Sequence, residues 1–237
     1  AARRACANGA LDAPLTVTRA CLARTRAHRG GALAALEAFD GLESVLVEHP
    51  PGSRTARAWV HGVAADLAAR GGRSRAAERH FLRALTLEGS VAARVGYADL
   101  LLVEERAAEA LEVLGPDGHA PSLVLRRLLA LAQLGRGPES AVLDAVQGTF
   151  DRWIAAGELQ HAREMALFHL TLRPDPPRAL DLARENYAMQ KEPEDLAVLC
   201  AATRAARKRP PQPCRADDRS ASVLPFTLLL ARGAATG

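Results

Sequence analysis

Aromatic side chains make up only 4% of the 237 residues, and Lys191 and Lys208 are the only lysines among 31 basic residues. A chain so short of the aromatic residues, Val and Ile that suit a pleated surface has little with which to build a sheet. No strand-like alternation of apolar and polar residues competes with that reading. No apolar run approaches the roughly 18–20 residues that cross a bilayer. The four cysteines contain no C-x-x-C pair, which argues against a structural zinc site. Nucleophile-elbow, Walker A and dinucleotide-fingerprint motifs are all missing. His161, Glu164 and His169 do not have the i, i+4 histidine spacing of a zinc protease helix. The paired carboxylates Glu104-Glu105 and Asp217-Asp218 fall in a turn and in a tail. No cofactor is implied and no residue is assigned a catalytic role.

What the chain has in quantity is alanine, the strongest helix former, and Arg interspersed with Asp and Glu at a net charge of +4. Such a composition favours an all-α class. Spread among acids, the arginines read as a solvated helix surface, so nucleic acid is a less favoured partner than protein. Helix stops and starts are frequent. Asp12-Ala13-Pro14 opens a helix to about His28, and Arg29-Gly30-Gly31 turns the chain into the next, which His49-Pro50-Pro51-Gly52 breaks. Helices over Leu123 to Leu134, Glu139 to Ala156, Gln160 to Leu172, Pro177 to Gln190 and Leu196 to Lys208 follow, each bounded by Gly or Pro. Val142, Leu143, Val146, Phe150 and Trp153 share one face of the longest of these.

Between Trp59 and Leu114 the pattern repeats. Ala65, Asp66, Leu67, Arg73 and Ala77 recur as Ala98, Asp99, Leu100, Arg106 and Ala110, at a spacing of 33 residues. Self-similarity at this period predicts stacked helical hairpins. After the Gly71-Gly72 turn, Ala77, Phe81 and Ala84 are spaced small-x-x-x-large-x-x-small, and this segment resembles a tetratricopeptide repeat. His61, Ala64, Ala65 and Ala68 stand where that family usually has Trp, Leu, Gly and Tyr. The block from Gly157 to Arg204 is similar to a group of uncharacterised exported bacterial proteins with such repeats. The likeness is carried by His161-Ala162-Arg163-Glu164, Pro177-Arg178-Ala179-Leu180, Leu182 to Tyr187 and Gln190-Lys191-Glu192-Pro193.

The resemblance implies a right-handed α-solenoid of about five hairpins over residues 1–208, acting as a protein-interaction scaffold. A peptide or helix of a partner would lie on the concave face. On this register its contacts are Trp59, Asp66, Arg70, Asp99, Leu102, Arg126, Gln133 and Arg163. An accessory region of a larger enzyme and an Arg-rich nucleic-acid surface are the alternatives. Residues 209–237 are Pro-rich and are expected to be a poorly ordered tail. Cys6 and Cys21 are a candidate disulfide across a predicted helix–turn–helix, worth roughly 3 kcal/mol, against the alternative of two reduced thiols. The start Ala1-Ala2-Arg3-Arg4 suggests an N-terminally truncated fragment, with residues 1–10 the end of a helix. The compartment is exported or periplasmic if the precursor carried a signal, and cytoplasmic otherwise.

Overall fold

In a computed structural model the described residues are 15–116, 119–209, 211 and 214. Among them the structure is helical, with no strand. Ten helical segments follow one another: α1 (Leu15–Glu48), α2 (Arg54–Arg70), α3 (Ser74–Leu87), α4 (Val91–Val103), α5 (Ala107–Leu114), α6 (Pro121–Gln133), α7 (Ser140–Ala155), α8 (Ala162–Thr171), α9 (Pro176–Met189) and α10 (Pro193–Ala205). The expected turn at Arg29-Gly30-Gly31 appears inside α1 as a break at Gly31, whose φ of 66° is left-handed. The expectation for residues 1–10 lies outside the described residues.

The 33-residue period seen in the sequence has a structural counterpart. Ala65 and Ala98 are both buried, as are Leu67 and Leu100, Ala77 and Ala110, and Phe81 and Leu114. The turns match too. Arg73 N–H donates to Ala68 O and Arg106 N–H to Leu101 O, both at 2.8 Å. The residues just before these donors, Gly72 and Glu105, have φ of 76° and 63°. This is the cap in which a left-handed residue sends the following N–H back to a carbonyl one turn inside the helix. It recurs with Arg136 to Leu131, Glu158 to Trp153 and Lys208 to Thr203. Four N-termini among the described residues are capped by side chains, one of them by Ser90 Oγ, which accepts from Ala93 N at 3.2 Å. Ser53 Oγ accepts from Ala56 N at 3.1 Å and Asp175 Oδ1 from Arg178 N at 3.2 Å. Glu192 and Asp195 form a reciprocal capping box at the start of α10.

The chain divides into two compact units, Ala1–Leu100 and Leu101–Gly237, with the boundary inside α4. In the first, α1 packs on α2 and α2 on α3. Phe39, Leu42, Val60, Leu67 and Phe81 supply its large buried side chains. Gly96 is required for a close approach, because a Cβ there would lie 2.8 Å from Phe81 Cε1. The Phe81 ring stacks on Tyr97 at 5.8 Å. In the second unit α6 packs on α5 and α8, and α8 packs on α9 and α10. Its core holds Leu114, Leu123, Leu125, Phe150, Met165, Leu167 and Phe168.

Cysteine pairing departs from the expectation in one respect. Cys200, on α10, is bridged to Cys214, a pair the sequence reading did not anticipate. It fastens part of the stretch read as a loose tail, most of which lies outside the described residues. Cys21 is disulfide-bonded, and Cys6, its expected partner, lies outside the described residues.

Candidate functional site

An apolar hollow of the second unit runs between α6 and α7, with a volume of about 460 Å³. Pro121, Val124 and Leu125 form one wall, and Val142, Ala145, Val146, Thr149 and Trp153 form the other, with Phe150 at its base. Helical spacing puts these α7 residues on one stripe. A stripe of this kind normally goes inside, yet Phe150 is the only buried residue of α7. Val142 is 43% exposed. The charged residues of α7 turn elsewhere: Asp144 is ion-paired with Arg173 and Asp151 with Arg178. The helix therefore presents apolar groups on one side and spends its carboxylates within the protein on another.

The eight residues assigned by register fall into two sets. Trp59 is 39% exposed and the Asp66 side chain 42% exposed, both on α2 of the first unit. Asp99 on α4 is half-buried. The others tie helices together or fill the core. Arg70 is buried, donates to Ala27 O at 3.0 Å and lies 3.5 Å from Asp66 Oδ2. Leu102 is buried in the core. Exposed Gln133 donates from Nε2 to Leu102 O at 3.1 Å. Buried Arg126, on α6, reaches Glu164 on α8 at 3.7 Å. Arg163, next to it on α8, donates from Nε to Asp195 Oδ1 on α10 at 2.6 Å. Arg126 and Arg163 thus link α6 to α8 and α8 to α10 in the second unit.

Asp195 anchors the second of these links. It is fully buried and also accepts from Asn186 Nδ2 at 2.6 Å and from Glu192 N at 2.9 Å. A buried carboxylate is tolerable when its lone pairs are met in this way. The capping role was visible in the run Glu192-Pro193-Glu194-Asp195; the Asn186 and Arg163 partners were not, since they come from two other helices.

A polar cleft in the first unit was not anticipated at all. His61 of α2 and His80 of α3 bring their Nδ1 atoms to 2.9 Å. His80 Nε2 lies 3.5 Å from Glu43 Oε1 of α1, and its ring meets Phe39 edge-on. Burial, then the charges of His80 and Arg83, push His61 down to about 4. Burial also lowers His80, against the opposing pull of Glu43. The 19-residue separation of the two histidines is a cross-hairpin distance, and nothing in a one-dimensional motif marks it. Among the described residues no three His, Cys, Asp or Glu side chains form a metal-ligand set. No protein-family model, no curated protein and no solved structure matches this chain.

Proposed function

We propose that the protein is an interaction scaffold built from tetratricopeptide-like hairpins, and that the α6–α7 groove receives an amphipathic helix of another protein. The observation that carries this reading is the apolar stripe of α7, of which only Phe150 is buried. The repeated burial pattern and the repeated C-terminal caps support the repeat assignment. From Val142 to Trp153 the stripe rises about 16 Å at 1.5 Å per residue, which fits about three turns of a guest helix. Groove recognition of this type uses guest side chains at i, i+3 or i+4 and i+7. The ion pairs of Asp144 and Asp151 leave the floor apolar, so the guest supplies aliphatic or aromatic anchors here. Trp59 and Asp66 are kept as partner contacts of the first unit.

The test replaces Val142 with a photo-crosslinking amino acid in the source cell and sequences the attached peptide. The expected adduct is an amphipathic helical segment. As a synthetic peptide it binds the purified chain and loses about tenfold or more in affinity to Val146→Asp. An adduct to a second copy of this chain, or a peptide whose affinity Val146→Asp leaves unchanged, overturns the assignment.

A further inference from the structure

The His61–His80 cleft of the first unit is a second concavity, independent of the α6–α7 groove. Its volume is about 500 Å³, within the size range of small-molecule sites. Three helices and the Pro50 loop wall it. The lining is divided by chemistry: Leu46, Val47 and Leu87 are apolar, whereas Arg57, Arg83, His61 and His80 carry nitrogen donors.

The arginines are the informative part. Elsewhere in this unit Arg70 and Arg73 are committed to carboxylates, and Arg54 to the carbonyls of Thr86 and Leu87. The side chains of Arg57 and Arg83 make no hydrogen bond or ion pair among the described residues. Both are exposed at the cleft. The cleft's one acid, Glu43, is already occupied, 3.5 Å from His80 Nε2 and 3.9 Å from Arg79 Nη2. Positive charge is therefore in excess where two guanidinium groups flank an apolar floor.

We propose that this cleft binds a free aliphatic carboxylate, its head held between Arg57 and Arg83 and its stem laid on Leu46, Val47 and Leu87. Guanidinium groups suit a planar carboxylate because their paired N–H donors match its two oxygens. The stem gains by leaving water for the apolar floor. Binding is coupled to protons. An anion beside His61 offsets the repulsion from His80 and Arg83, so bound ligand raises the histidine's affinity for a proton. The charged and titratable groups that share the cleft with that imidazole are Glu43 from α1, Arg57 from α2, and His80 and Arg83 from α3; Arg79 of α3 acts on His80.

Hexanoate is the probe, with hexanol as its uncharged counterpart, and the full chain is titrated by calorimetry and by imidazole NMR. Hexanoate is expected to bind about tenfold or more tightly than hexanol, and Arg57→Gln with Arg83→Gln to remove about that factor. Saturating hexanoate should move the His61 titration midpoint upward by about one pH unit. Both arginines are exposed, so helicity should persist in the double variant. If it does not, Arg57→Gln alone is read. Equal binding of hexanol, or an unmoved His61 midpoint, overturns the proposal. So does tighter binding of an acetyl-Glu-Leu amide, which would assign the cleft to acidic side chains of another protein.

Discussion

His61 and His80 face each other through Nδ1 atoms 2.9 Å apart. One must donate and the other accept, so the pair is stable only while at least one ring is neutral. Burial first, then His80 and Arg83, hold His61 at about 4 in the folded protein, against the ordinary imidazole value of 6.5. The unfolded chain therefore takes up a proton that the folded chain refuses as pH falls from 6.5 towards 4. Stability is flat above that window and is lost across it, levelling once the folded ring also protonates. His80 and His169 are lowered by burial as well and act in the same direction. The comparison that isolates His61 is wild type against His61→Asn between pH 7 and 5, where carboxylates stay ionised. The urea midpoint should fall further in the wild type. An NMR midpoint for His61 near the unperturbed value would show that the ring is not held in this way.

At the scale of the helices, α7 and α10 solve the same problem differently. Helix α7 makes its apolar stripe half of an open groove. Helix α10 is sealed, with Ala197, Val198, Leu199, Cys200 and Ala202 all buried. Its first turn is locked by Asp195. In Asp195→Ala the Asn186 amide loses a buried acceptor, and Arg163 keeps only Glu192 at 3.9 Å. Breaking a pair of this kind costs about 3 kcal/mol. Hydrogen exchange should speed up across α10 while the amides of α2 and α3 are unchanged. Unchanged α10 exchange would mean that apolar packing alone seats the helix. The helices themselves were legible in advance because their ends are written locally: Gly72, Gly135 and Gly157 take the left-handed turns, and Pro177 and Pro193 sit in first turns. Which stripe would be covered was not legible. Val142, Val146 and Trp153 have the same spacing whether or not another helix lies on them. Register alone also did not separate Asp66, whose side chain stays accessible, from Arg126, which is buried in an ion pair.

For the whole molecule, the Ala-rich composition carried the all-α class, and the period of 33 carried the expectation of stacked helices because it repeats small and large residues together. The Cys200–Cys214 link escaped it, since that pairing depends on where the chain goes after α10 and not on spacing. Cys200 is buried on α10 and its partner Cys214 lies 14 residues on. A loop of that length constrains the unfolded chain by roughly 3 kcal/mol. Its mechanical effect is specific: the chain leaves α10 at Ala205, passes Arg207, Lys208 and Arg209, and returns to the same helix. Replacing both cysteines with Ser releases that return while leaving the buried face of α10 otherwise intact. Trypsin should then cut after Arg207 and Lys208 faster than in the oxidised protein, and treatment of the wild type with a thiol should reproduce the faster cutting. Cutting at these sites in the variant should be insensitive to the thiol, whose remaining target is the bridge at Cys21 in the first unit. Equal cutting of oxidised wild type and variant would show that the bridge does not hold this segment against the helix, and that the last turn of α10 is secured by Thr203 and Ala202 packing alone.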